Sequence, residues 1–251
     1  MKNKMLWMVI LLFPIYISTQ DSTEKPPTGD WVLEQVDLNL LSKNRIFESK
    51  MVIHLRRGTR TVVSKSWAVG EQMALTEYLA PAREKGVKML KLEDRLWVYS
   101  PSTDRIIQIS GHMLRQSVMG SDLSYEDMME DPNLSLNYEA EVIEEVDFRE
   151  RLCWVLELRA RTNDLAYQVR KVWVDKELLV PLKEELFAKS GKLLKKTELF
   201  DIKNIDNRWY PMRIHFKDML KQGSGTEFII ESVKFDQPIP DHLFTKASLR
   251  R

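Results

Sequence analysis

Met51-Val-Ile-His-Leu-Arg-Arg-Gly-Thr-Arg-Thr-Val-Val-Ser-Lys-Ser-Trp-Ala-Val69 is the stretch on which the fold turns. Met51, Ile53 and Leu55 alternate with Val52, His54 and Arg56. Arg57-Gly58-Thr59 then supplies a turn, and Val63, Lys65, Trp67 and Val69 resume a period of two. Successive side chains of a strand point to opposite faces, so this alternation means one buried face and one solvated face. That is the pattern of antiparallel strands joined by a hairpin.

The same grammar extends in both directions. Met73 to Leu79, Gly86 to Leu92, Arg95 to Pro101 and Arg105 to Ser110 read as strands, with turn residues at Val69-Gly70, Glu93-Asp94 and Ser102-Thr103-Asp104. In the second half the strands are Asn137 to Glu145, Leu152 to Ala160, Ala166 to Asp175 and Leu178 to Ala188, followed by Leu193 to Ile202, Tyr210 to Met219 and Thr226 to Phe235. Lys189-Ser-Gly-Lys and Gln222-Gly-Ser-Gly sit at hairpin positions. About a dozen short strands with short links predict a mainly β chain of the α+β class: one antiparallel sheet curled into a barrel or half-barrel. There is no βαβ rhythm and no repeat of fixed period.

Two segments break the pattern. Trp31 to Asn44 carries apolar residues at Val32, Val36, Leu38, Leu40 and Leu41 and reads as an amphipathic helix. Gly111 to Asp131 reads as two short helical stretches joined at Met119-Gly120-Ser121, with Asp122 capping the second and Glu126 and Asp127 in its first turns. Its apolar positions, Met113, Leu114, Val118, Met119, Leu123, Met128 and Met129, make it an amphipathic insert for an open mouth or concave face.

At the start, Lys2 and Lys4 precede an apolar run from Met5 to Ile17, and Ser18, Thr19 and Gln20 follow. A positive start, a short apolar stretch and a polar exit describe a secretory signal over residues 1–20. The run is shorter than the ~20 residues that cross a bilayer as a helix. An uncleaved interfacial anchor is the alternative. No cysteine follows directly, so no lipid-attachment site is expected. Residues 21–29 are a polar, Pro-containing lead, expected to be disordered, and 30–251 a single domain. Export and the lone cysteine, Cys153, exclude an intrachain disulfide framework and favour a periplasmic location. Cys153, in Arg151-Leu-Cys-Trp-Val, reads as a small core residue.

With 38 basic and 37 acidic residues, the chain lacks the electrostatic footprint of a nucleic-acid or anionic-membrane binder. Catalytic patterns are missing too. His54, His112, His215 and His242 stand singly, without metal-ligand spacing. Asp122, Glu126, Asp127, Glu130 and Asp131 lack the alternating ligands and central glycine of a calcium loop and read as helix capping plus a solvated face. No cofactor is expected. What stands out is apolar: six of the twelve methionines fall between Met73 and Met129. Such residues fill a core, or line a surface that accepts variable apolar guests.

Met89 to Asp127 carries a further signal in Trp97-Val-Tyr-Ser-Pro101, Ser117-Val-Met-Gly-Ser-Asp122 and Ser124-Tyr-Glu-Asp127. With the early helix, the strand series and Trp209-Tyr-Pro-Met-Arg213, this resembles the outer membrane lipoprotein-sorting proteins, relatives of the LolA carrier and the LolB acceptor. The resemblance implies an unclosed barrel of about 10–12 strands with helices over its concave face. It also implies an apolar cavity that takes up acyl chains of lipoproteins or other lipids. In that family the carrier receives cargo from an inner-membrane transporter and passes it to an outer-membrane acceptor; a chain without an anchoring cysteine sits on the carrier side.

The expected function is therefore a monomeric, non-enzymatic periplasmic carrier. A lipid- or lipoprotein-sensing module regulating an inner-membrane partner is the alternative. An envelope hydrolase would need a nucleophile–base pair that the sequence does not show. Candidate cavity residues are Met51, Ile53, Leu55, Val63, Trp67, Met73, Leu75, Met89, Trp97 and Val98. Met113, Leu114, Val118, Met119 and Leu123 are candidate lid residues, with the Trp31–Asn44 helix as a second lid. Strand register decides which of them share a face.

Overall fold

In the computed structural model, which describes residues 27–130 and 133–250, the opening stretch forms two paired strands, β1 (Asn44–His54) and β2 (Thr59–Val69). Their register sets Met51 against Val62 and Trp67 against Ile46. The chain continues as β3 (Met73–Ala80), β4 (Lys88–Leu92), β5 (Arg95–Ser100) and β6 (Arg105–Ile109). After the insert come β7 (Tyr138–Phe148), β8 (Arg151–Ala160), β9 (Val169–Asp175) and β10 (Pro181–Phe187). The last three strands are β11 (Leu193–Ile205), β12 (Arg208–Asp218) and β13 (Gly225–Phe235).

All thirteen lie in one sheet, ordered β6-β5-β4-β3-β2-β1-β13-β12-β11-β10-β9-β8-β7. Every pairing is antiparallel, and the pairing of β1 with β13 joins the two halves. The sheet does not close: β6 and β7 form its edges. The strand expected from Leu178 begins only at Pro181, because Leu179 takes a left-handed φ of 53° in a turn held by Asp175, whose carboxylate accepts from Glu177 N and Leu178 N at 2.8 and 2.9 Å.

Helix α1 (Gly29–Leu40) starts earlier and stops sooner than the apolar spacing suggests. Thr28 caps it, accepting from Trp31 N, so Thr28 and Gly29 belong to the helix start rather than to the lead; residues 21–26 of the lead and the signal segment lie outside the described residues. Asn44, expected in the helix, opens β1. A Cβ on Gly29 would fall 2.3 Å from the Ala140 carbonyl oxygen, so glycine is what lets α1 lie directly on β7. Val32, Leu33 and Val36 bury completely against Tyr138, Leu156, Leu158, Val172 and Val174. Each such side chain contributes about 1.5–3 kcal/mol. Polar ties add to this. Asp30 accepts from Ala140 N at 2.8 Å, Asp37 from Leu134 N and Ser135 N, and Asn39 donates to the carbonyls of Leu178 and Leu179.

The insert is more broken than two helices. Gly111–Arg115 and Val118–Gly120 are single 3-10 turns, α2 (Tyr125–Met129) is one short helix, and α3 (Leu134–Asn137) leads into β7. Met119, with φ 50°, and Gly120 make the sharp reversal between them. Ser124, not Asp122, caps α2, in a reciprocal box with Asp127. Asp122 is instead buried, accepting from Thr226 Oγ1 at 2.8 Å and from Asp218 N at 3.0 Å. It thereby pins the insert to the β12–β13 hairpin.

Alternation along the strands sorts the two faces. Through the register, Val62, Met51, Phe228, Ile214 and Leu199 form one row across the sheet. Thr197, Glu184, Val172 and Leu156 continue it two residues along. Both α1 and the insert pack on this helix-bearing face.

Candidate functional site

The helix-bearing face carries a cavity of about 360 Å³ between α2 and strands β1 and β9 to β13. Phe47, Leu199, Ile214, Phe216 and Phe228 come from the sheet, and Leu123 and Met128 from the insert above it. Smaller spaces of about 40 and 260 Å³ adjoin it, and Phe47 and Met128 border all three. Of these two, Met128 is the unbranched side chain with freely rotating bonds.

One end of the cavity is charged. Arg170 of β9, only 4% exposed at its side chain, pairs with Glu130 and, at 3.5 Å, with Glu184 of β10. Its guanidinium lies 4.9 Å from the Tyr138 ring and 5.5 Å from that of Tyr167. Lys195 of β11 pairs with Asp127, whose carboxylate also accepts from Tyr167 Oη at 2.5 Å and Ser124 N at 2.6 Å.

Burial works against ionising these groups, and their neighbours answer it. Burial opposes the charge on Arg170, but Glu130, Tyr138 and Glu184 outweigh it and raise the guanidinium. Burial likewise opposes ionisation of Asp127, yet the charge and hydrogen bond of Lys195, with Ser124 and Tyr167, hold the carboxyl below the usual range. Glu184 is pushed up by burial despite Arg170, and burial followed by Asp127 raises the Tyr167 hydroxyl. The acidic cluster is therefore not a solvated face at Asp122, Asp127 and Glu130. All three are engaged with the sheet; Asp131 lies outside the described residues.

The sequence-derived candidates divide between the two faces. Met51 and Ile53 pack with Val118 and Leu123, and Met119 lies against that cluster; Met89 packs with Leu96 and Ile109, against which Val98, Met113 and Leu114 rest. Met51 also borders the 40 Å³ space.

Trp67, Met73, Leu75 and Trp97 belong to a cluster on the opposite face, under Phe244 and Leu249 of the C-terminal turns. Trp67 and Met73 reach the edge of the 260 Å³ space. Val63 alternates onto that opposite face, and Leu55, at a hairpin tip, is 49% exposed. The list mixed two apolar surfaces because both faces of β2 to β5 are buried, one by the insert and one by residues 239–249.

Sequence reasoning missed Arg170, Glu184, Lys195 and Tyr167. For Arg170 and Lys195 the signal was present: Arg170-x-Val172-x-Val174 and Lys195-x-Thr197-x-Leu199 each place a charge in an inward row of a strand, whereas the row of Glu184 is broken by a bulge at Leu182.

Cys153 is fully buried, and burial, with Asp175 nearby, pushes its thiol up to about 11. Among the described residues no group of three or more His, Cys, Asp or Glu side chains could hold a metal ion, and no helix is long and apolar enough to cross a membrane.

Solved structures superpose on this sheet over most of their length. An outer membrane lipoprotein-sorting protein domain from Vibrio parahaemolyticus superposes with TM-score 0.77 at 21% identity, covering 89% of this chain and 98% of its own. A LolA superfamily protein from Nitrosomonas europaea gives 0.74 at 23%, covering 89% and 100%. A DUF1329 family protein from Desulfovibrio piger gives 0.80 at 24%, covering 88% and 97%. The chain thus has the fold of the outer membrane lipoprotein-sorting, LolA-superfamily proteins. Residues 70–251 match the model of a protein family described as "Uncharacterized protein", and the chain belongs to that family. No curated protein matches it by sequence.

Proposed function

We propose that the chain is a periplasmic carrier that takes an acyl chain of a lipoprotein or another lipid into the cavity under α2 and moves it toward the outer membrane. In this reading the sheet is an unclosed barrel, its helix-bearing face is the concave interior, and the domain spans residues 30–251. An inner-membrane transporter would supply the cargo and an outer-membrane acceptor receive it. Residues 1–20 support export by their charge and length pattern.

The observation that carries the proposal is the 360 Å³ cavity, walled by phenylalanine, leucine, isoleucine and methionine side chains, on an open LolA-type sheet. Its size falls within the ~300–1,000 Å³ of ligand sites. A sixteen-carbon acyl chain gains about 12 kcal/mol on leaving water at about 0.8 kcal/mol per CH₂, so it needs a comparably apolar shelter in transit. Delivery also needs release. The insert supplies a movable cover, because it is built of short turns that rest on the sheet through small apolar contacts and a few polar ties, whereas the continuous buried face and hydrogen bonds of α1 make that helix a core element.

The test is native mass spectrometry of the protein from its host's periplasm, with lipid extraction and acyl-chain uptake from vesicles. Bound lipid at defined stoichiometry is expected. Met128→Asp, which puts a charge into the cavity from the partly exposed α2, is expected to abolish uptake while the sheet remains folded. A lipid-free protein that takes up no acyl chain overturns the proposal.

A further inference from the structure

An acyl chain gains nothing from a guanidinium, and buried charges cost free energy unless something pairs with them. Yet five ionisable side chains stand at one end of the cavity: Asp127, Glu130, Arg170, Glu184 and Lys195. Their distribution is ordered. Both cations rise from strands of the sheet, whereas Asp127 lies on α2 and Glu130 caps its end. The cations are fixed, and two of their counter-charges ride on the insert.

Arg170 is also incompletely satisfied. Its Nε has no hydrogen-bond partner among the described residues, although its side chain is almost wholly buried and lines the cavity. A guanidinium presents a planar fork of donors matched to a carboxylate or a phosphate, and an ammonium adds a point charge. Apolar walls of Phe47, Leu199, Ile214, Phe216 and Phe228 lead away from this end.

We infer that Arg170 and Lys195 form an anion-binding subsite, held here by Asp127 and Glu130, and that the ligand is an acyl chain bearing an anionic head which displaces those carboxylates as it enters. The inference rests on the lipid-binding reading and narrows it: the cargo is an anionic amphiphile, with a carboxylate or phosphate group, rather than a neutral acylated terminus. Entry of the head releases α2 from the sheet, so loading and opening are one exchange of anions. Glu184, on the sheet beside Arg170, keeps part of that cation's charge compensated throughout.

The experiment measures binding of palmitate, hexadecyl phosphate, hexadecanol and methyl palmitate, which share one chain length and differ in the head. The full chain is expected to bind the two anions about tenfold or more tighter than the two neutral probes. The tighter of the two anions identifies the head as a carboxylate or a phosphate. In Asp127→Asn/Glu130→Gln the internal competitors are gone while shape is kept, and affinity for the anions is expected to rise about tenfold more than any rise for the neutral probes, which share only the loosened cover. Should the double variant fail to fold, Glu130→Gln alone gives the same comparison at Arg170. Equal affinity for all four probes overturns the subsite and leaves acyl binding standing. Failure of every probe to bind overturns the carrier reading, and the subsite with it.

Discussion

Replacing Lys195 with methionine tests whether charge holds α2 to the sheet. Both side chains of the Lys195–Asp127 pair are 11% exposed, so the substitution strands a carboxylate away from water. Orphaning one member of a buried pair costs ~3–5 kcal/mol. Here Asp127 keeps the Tyr167 hydroxyl at 2.5 Å and Ser124 N at 2.6 Å, and methionine retains the packing of the lysine stem. Those two bonds to a charged group bring the loss down to about 2 kcal/mol, a factor of about 30 in an equilibrium constant. The cost falls on one element, since α2 can leave the sheet while the apolar clusters under α1 and under the C-terminal turns stay intact. Amide hydrogen exchange over residues 125–129 is therefore expected to speed up about 30-fold, with β1 and β13 unchanged. Unaltered exchange over α2 together with a lower global stability would refute the reasoning, for Lys195 would then support the sheet rather than hold the insert.

Three further outcomes follow from the same contacts. Asp127 titrates below the usual carboxylate range in the folded protein, so its contribution is present above the unfolded pKa and is lost as pH falls through the folded one; α2 exchange should accelerate only in acid, and a transition near neutrality would contradict this. Glu184 is shifted the other way by burial, so its contribution is present at low pH and lost as pH rises through its folded pKa; Glu184→Gln should melt above the wild type at neutral pH, with the difference closing toward acid. Leu249→Ala should cost ~2–5 kcal/mol in denaturant unfolding by emptying a fully buried site against Trp97, yet leave acyl-chain uptake by the folded protein unchanged.

Strand existence was legible because alternation is local. Met51-x-Ile53 and Trp67-x-Val69 announce their strands without reference to any partner; the far ends match, while β1 begins seven residues before Met51, at Asn44, and β2 at Thr59. The turns were legible for the same reason, since Gly58, Gly191 and Gly223 adopt positive φ where the chain must reverse. The limits of α1 were less so. Its start depends on Gly29 meeting Ala140, more than a hundred residues away along the chain.

The cavity was not legible: none of the ten candidate cavity residues lines the 360 Å³ space, and of the lid candidates only Leu123 does. Alternation grouped Met51 with Ile53 and Trp67 with Val69, yet nothing in either run says which row faces the insert and which the C-terminal turns. The charged end was hidden further. Asp127 and Lys195 are 68 residues apart, and Glu130 and Arg170 are 40 apart. A carboxylate on an amphipathic turn reads as solvated until its cation is known.

By itself, then, the sequence determined what period and composition determine: an antiparallel, mainly β chain with a helical start and one amphipathic insert. Only the tertiary structure decided how β1 joins β13, which face carries the cavity and which charges are buried together. The physical reason is range. Alternation, turn conformation and capping act between near neighbours, whereas register and burial are set by the partner strand, and a shift of one residue exchanges every inward side chain for an outward one.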